Sequence, residues 1–222
     1  MTVSRHGGDF ISHAIVIAIA GGSCAGKTAL SEALERRITG RESVIIPVDA
    51  YYHDLSHLPA EERARHDFDH PSAIDFDLFE DDLRALARGG GRLVPVYDYE
   101  THTRAPRQEW RRVPPAAPGR PARIVIVEGL HALYRESVRG VYDLAVFVEA
   151  PDEVRLGRRL ERDIRERGRT EDDIRRQYAE DVTPMYERYV APMRQYADLV
   201  LDGSRPVADL AAEVVSRLEI DR

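Results

Sequence analysis

The segment that most constrains this chain is GGSCAGKT at 21–28, set between an apolar run and a helical one. The run before it, Ala14–Ala20, is rich in isoleucine and valine. A membrane helix needs about 20 apolar residues, so so short a run predicts a buried strand. The segment after it, ALSEALERRI, has helical spacing. Gly21, four residues, then Gly26-Lys27-Thr28 fit the phosphate-loop pattern between strand and helix. The glycines let the backbone curl so that successive N–H groups face phosphate oxygens, and the helix adds its positive end. Gly21, Gly22, Ser23, Cys24, Ala25, Gly26, Lys27 and Thr28 are therefore the candidate nucleotide-binding loop. Lys27 suits the β- and γ-phosphates and the Thr28 hydroxyl suits Mg²⁺. Cys24 reads as a small residue filling a loop position. A reactive thiolate near a helix N-terminus is the other reading.

The rest of the chain repeats the alternation. Ser43–Val48, Arg123–Val127, Leu144–Val148 and Leu199–Leu201 are apolar strand candidates, and Leu93–Tyr97 is another. Asp75–Arg88 has apolar residues at helical spacing and stops at GGG, 89–91. PPAAPGRP at 114–121 reads as a surface loop. A charged helical region covers 152–190, with a break at Gly168, and a C-terminal helix closes the chain. Strands alternating with helices predict an α/β fold of the P-loop NTPase type, with a mostly parallel, doubly wound sheet and helices on both faces. The 222 residues suit one domain, 1–222.

Ligands of such sheets bind at the carboxyl ends of strands. Two acids follow predicted strands there. Asp49 can accept the proton of an attacking hydroxyl or join a magnesium shell; an Asx turn is its plain alternative. Glu128 ends the next strand, as a Mg²⁺-holding acid does, against a merely solvated strand-end acid. Thr28, Glu128 and Asp49 are thus the metal candidates. No Asn/Thr-Lys-x-Asp guanine-reading motif occurs, which sets switch GTPases aside.

The net charge of −7 argues against nucleic acid or an anionic membrane as partner. One cysteine makes no internal disulfide, so a reducing cytoplasm is expected. MTVSRHGGDFISH has no signal-type apolar core. His6, His13, His53 and His57 read as solvated.

From about residue 15 to 203 the chain resembles the uridine kinase (uridine–cytidine kinase) family. The motifs, in family order, are GGSCAGKT at 21–28, DAYYHDLSHL at 49–58, FDHPSAIDFD at 68–77, PVYDYETHTR at 95–104, VEGLHAL at 127–133, ERGRTEDDIRRQY at 166–178 and QYADLVL at 195–201. The family loop more often reads SASGKS or SASGKT, and leucines are usual where this chain has HALY. The resemblance implies transfer of a γ-phosphate from ATP or GTP, with Mg²⁺, to the 5′-hydroxyl of uridine or cytidine. It gives Asp49 the base role and places Tyr52, Phe68, Asp69, Tyr97 and His102 around the nucleoside. Asp69 would take the ribose hydroxyls; Tyr97 and His102 would read the base. It implies a small hairpin-type nucleoside-binding excursion near 90–122 and an arginine-rich lid near 155–178. There Arg162 and Arg167 would meet the nucleotide, and Arg159, Arg169 and Gln177 the nucleoside. It also implies a homo-oligomer, a tetramer.

Nine arginines and six acids lie between Arg155 and Arg176. For several of them a solvated, salt-bridged helix is the simpler account. Two other functions stay open on the residues alone: a related kinase for another acceptor, of phosphoribulokinase or pantothenate-kinase type, and a nucleotide-binding regulator without catalysis.

Overall fold

A computed structural model describes residues 13–218; His6 and the stretch read for a signal core lie outside it except for His13. The strands of the main sheet are β1 (Ile15–Gly21), β2 (Ser43–Pro47), β7 (Ile124–Glu128), β8 (Leu144–Glu149) and β9 (Leu199–Asp202). Their order is β2-β7-β1-β8-β9, and every neighbouring pair is parallel. β1 is therefore central, which explains its unbroken apolar sequence.

Side chains alternate between the two faces, as a period of two requires. Val16, Ala18, Val125, Val127 and Phe147 pack with Phe79, Leu83 and Leu86 of α3 (Phe76–Ala87). Ile17, Ile19, Ile126, Val146 and Val148 pack on the other face. Their partners are Leu30 and Leu34 of α1 (Lys27–Arg37) with Leu210 and Val214 of α8 (Val207–Leu218). The expected doubly wound α/β fold is present. Among the described residues, no helix is long and apolar enough to cross a membrane.

Element ends differ in informative ways. β2 stops at Pro47, which lacks the N–H a ladder uses, and Val48–Tyr51 forms a 3₁₀ turn that carries Asp49. α3 starts one residue late because Asp75 caps it, accepting from Leu78 N–H at 3.2 Å. The expected strand Leu93–Tyr97 divides. Its first part lies in β3 (Arg92–Val94), which pairs antiparallel with β6 (Arg111–Val113). Its last residue opens β4 (Tyr97–Asp98), which pairs with β5 (Thr103–Arg104). Arg104 pins this excursion to the sheet: its guanidinium donates to the Tyr51 carbonyl at 3.2 Å and that of Tyr52 at 2.8 Å, and meets Asp75 at 3.2 Å. The loop 114–121 has no regular structure.

The charged region forms α5 (Asp152–Arg167) and α6 (Glu171–Gln177), with Gly168 between them at φ 61. That left-handed cap is where glycine costs least. After α6 the helix widens into π turns at Tyr178–Val182 and Tyr186–Val190, so the helical path reaches Val190 as expected.

Gly203, just past β9, touches the phosphate loop. A Cβ there would lie 2.1 Å from the Ala25 carbonyl oxygen and 2.8 Å from Val148. Gly203→Ala should therefore push the loop out of shape. We expect a loss of about 1–3 kcal/mol of stability together with weaker ATP binding, read by thermal unfolding with and without ATP. Unchanged affinity in the variant would show that the loop tolerates the displacement.

Candidate active site

The phosphate loop joins β1 to α1 with Gly21 at φ 147 and Gly26 at φ 110. Cys24, a non-glycine, also has positive φ, at 60. Lys27 is 9% exposed, and its Nζ donates to the Gly22 carbonyl at 2.8 Å. Two arginines of α5 brace the loop. Arg158 donates to the Cys24, Ala25 and Gly203 carbonyls at 3.4, 3.3 and 2.9 Å. Arg155 is buried under Gly22, bonded to Asp152 at 2.6 Å and lying 3.9 Å over the Tyr186 ring. The sequence put both on one face of a charged helix; packing against the loop distinguishes them from solvated arginines.

The sheet order sets the two strand-end acids beside this loop. Glu128 ends β7, the neighbour of β1, and accepts from the Thr28 hydroxyl at 3.4 Å. Asp49 follows β2, on the far side of β7. Burial pushes the Asp49 carboxyl up to about 6; Glu128 adds to the rise, and Lys27, Arg162 and Arg167 oppose it. Burial also raises Glu128, against Lys27 and the Thr28 hydrogen bond. Burial lowers Lys27, against Glu128 and Asp49. Two carboxylates and a hydroxyl are hard oxygen donors. Among the described residues no group of three His, Cys, Asp or Glu side chains gathers as a metal cage. This set fits Mg²⁺, which takes one or two carboxylates and completes its shell with phosphate and water oxygens.

Next to Asp49 the aromatic residues converge. Tyr52 meets Phe68 edge-on at 5.0 Å and Tyr97 at 5.3 Å between ring centroids. The His102 ring stacks on Phe68 at 4.8 Å, 20° from parallel. His102 itself has φ 55, a conformation rare outside glycine, asparagine and aspartate. The Tyr97 hydroxyl is buried and has no hydrogen-bond partner among the described residues. Asp69 lies at the edge of this wall. Burial lifts its carboxyl to about 6, while Arg159 pulls it down. His13, His53 and His57 are exposed, as expected for solvated histidines.

The arginines of the expected lid are gathered by a residue the sequence reading did not single out. Asp163 is fully buried in α5. It meets Arg162 at 2.8 Å, Arg167 at 3.4 Å, Arg159 at 3.5 Å and Arg169 at 4.0 Å. Burial works against the Asp163 anion, but the Arg162 hydrogen bond and the surrounding guanidiniums win and lower its carboxyl. Its carbonyl also accepts the Arg169 N–H at 3.2 Å. The Gln177 amide oxygen accepts from both Arg159 and Arg169. Arg159 donates to the Ser23 hydroxyl at 3.1 Å as well, so it touches the phosphate loop and faces Asp69. The one signal for Asp163 in the sequence was an acid at helical spacing from Arg159 and Arg167.

A phosphate loop at the end of a central parallel strand, two adjacent acids and a cluster of arginines beside them define a P-loop phosphotransferase. Residues 16–210 match the model of the phosphoribulokinase / uridine kinase family. The chain belongs to that family. It is 41% identical over 189 residues to a uridine kinase of Leuconostoc citreum, covering 84% of this chain and 86% of that one. It is 40% identical over 211 residues to a uridine kinase of Chloroflexus aurantiacus, covering 94% and 96%. Among solved structures, a phosphoribulokinase from Rhodobacter spheroides superposes with a TM-score of 0.59. Its identity is 20%, and the match covers 88% of this chain and 74% of that one, a likeness of fold.

Asp163→Asn leaves four guanidiniums crowded without their anion. Breaking such a buried pair costs about 3–5 kcal/mol. Inorganic tripolyphosphate should then raise the thermal midpoint of the variant more than that of the unaltered protein, because an anion replaces the lost charge. Equal shifts in the two proteins would remove Asp163 from this role.

Proposed function

We propose that the protein transfers the γ-phosphate of ATP or GTP to the 5′-hydroxyl of uridine, cytidine or both, giving UMP or CMP. The observation that carries this reading is the aromatic wall of Tyr52, Phe68, Tyr97 and His102 standing beside Asp49. A flat base and a reacting hydroxyl then fit one cleft. The kinship with proteins named uridine kinase supports the choice of acceptor.

In this reading Asp49 accepts the proton of the 5′-hydroxyl and orients its oxygen toward the phosphorus. Lys27 and the loop N–H groups hold the phosphate chain. Arg162 and Arg167 stand where charge spreads over the transferring group, and guanidinium forks suit those oxygens. Thr28, Glu128 and Asp49 would hold Mg²⁺, which supplies charge neutralisation to the triphosphate when bound. Asp69 takes the ribose hydroxyls. Phe68 and His102 face the base, and the Tyr97 hydroxyl and His102 offer it a donor and an acceptor. Arg159, Arg169 and Gln177 close the lid over the nucleoside side, excluding water that would otherwise compete as acceptor. One domain over 1–222, with the excursion at 90–122 and the lid at 155–178, carries the whole reaction. With Cys24 as its one cysteine the chain suits a reducing cytoplasm.

The direct test follows ADP release from Mg-ATP with a panel of nucleosides, ribulose 5-phosphate and pantothenate. Uridine or cytidine should turn over; turnover of only the non-nucleosides overturns the reading. Asp49→Asn should keep ATP binding and lower kcat by about 10²–10⁴-fold, the general-base range. Near-normal turnover would remove Asp49 from the base role. The kcat/KM profile of the unaltered protein should fall on the acid side with an apparent pKa near 6, because burial holds Asp49 and Asp69 protonated up to that pH. A rate flat down to pH 5 would contradict both assignments.

A further inference from the structure

His131 lies just past Glu128 and is 1% exposed. Its Nε2 is 2.9 Å from the Asp69 carbonyl oxygen. A carbonyl can only accept, so Nε2 carries the proton and Nδ1 is the bare acceptor. Nδ1 is buried and has no hydrogen-bond partner among the described residues. Burial lowers the ring to about 4, so this neutral form persists through the physiological range.

The other side of Asp69 is held as well. Its N–H donates to Asp67 Oδ1 at 3.0 Å, and the His70 N–H reaches the same oxygen at 3.2 Å. The His70 ring in turn bonds the Tyr189 hydroxyl at 2.9 Å. The backbone of Asp69 is thus gripped at its N–H from within its own turn and at its carbonyl from the end of β7. The first grip is local and would form in any such turn. The second crosses from the strand that carries Glu128 to the loop that carries the ribose acid.

We propose that His131 is a positioning residue that sets the Asp69 carboxylate for the two ribose hydroxyls, and so governs selection of ribose over 2′-deoxyribose. This rests on the reading of Asp69 as the ribose acceptor. A carboxylate hydrogen-bonded to vicinal hydroxyls is sensitive to the angle of its backbone, because both oxygens must be in register. Losing the His131 donor leaves the Asp69 carbonyl unpaired in a buried site, and the turn can then rotate to find water. His131 makes no hydrogen bond to the phosphate loop among the described residues, so its loss leaves the loop's own hydrogen bonds in place.

Kinetics on His131→Leu, His131→Gln and Asp69→Asn test this, with uridine and 2′-deoxyuridine as acceptors. Leucine fills the space without a donor; glutamine can place an N–H near the same point. In His131→Leu, KM for uridine should rise on the order of tenfold, with KM for ATP held within about twofold, as loss of one buried hydrogen bond to an acceptor-side group predicts. The preference for uridine over deoxyuridine should shrink by a similar factor, and His131→Gln should restore most of it. Asp69→Asn should abolish the preference. If Asp69→Asn loses the preference and His131→Leu keeps it, the positioning role is wrong and the ribose reading stands. If Asp69→Asn keeps the preference, both fall. An equal loss with uridine, deoxyuridine and ATP in His131→Leu also overturns the proposal, since that marks general damage to the fold.

Discussion

An ammonium group taken out of water must find oxygen, and Lys27 governs how the ends of three strands are arranged. Its Nζ lies in the cleft with the Gly22 carbonyl at 2.8 Å and with Glu128 and Asp49 as the charges that oppose its desolvation. Each of the three comes from a different strand end: the loop after β1, the last residue of β7 and the turn after β2. Only a sheet in the order β2-β7-β1 sets those ends side by side. The same parallel order leaves both faces to be covered, which is why the strands are apolar throughout and why α1, α3 and α8 carry the complementary apolar stripes.

The arginine cluster poses the opposite problem. Four guanidiniums gathered within one short stretch of chain repel one another. Asp163 answers this from inside the helix, with distances of 2.8 to 4.0 Å to all four. A single anion does not neutralise four cations, so the cluster keeps a net positive charge toward the cleft while its mutual repulsion is reduced. Gln177 adds a neutral acceptor shared by Arg159 and Arg169, which fixes those two without cancelling charge. Gly168 lets the chain reverse at the end of α5 so that Arg167 and Arg169 point back to the same carboxylate.

What the sequence made legible follows from how local each feature is. The phosphate loop is contiguous, so GGSCAGKT announced both its shape and its chemistry. The strands were legible because burial on both faces leaves nothing but apolar residues. Asp49 and Glu128 could be found because parallel sheets deliver their strand ends to one edge. His131, Gly203 and Arg104 could not, since each acts across a gap in sequence, and Asp163 could not because its partners look like ordinary helical neighbours. An acid among nine arginines looks like one more surface pair until its burial is known. Gly203 differs from other loop glycines only because the Ala25 carbonyl comes so close. The π turns after α6 flank Pro184, and that proline was their local sign, since it has no N–H to give to the α-helical ladder.

The site is held at a cost to the fold, and the sign of that cost can be worked out. An aspartate in an unfolded chain releases its proton near pH 4. Asp49 and Asp69 hold theirs to about 6 in the folded chain. Between those values the native state binds more protons than the unfolded one, so these two groups make stability fall as pH rises through that window. At neutral pH both carboxylates are charged in surroundings that disfavour the charge. A hydroxyl donor, an ammonium drawn closer or a divalent cation beside them would relieve this. The same reasoning covers the Tyr97 hydroxyl, buried with no hydrogen-bond partner among the described residues. The folded chain therefore carries the desolvation of these two carboxylates in advance, and any ligand that brings them a donor or a cation stabilises the fold by that amount.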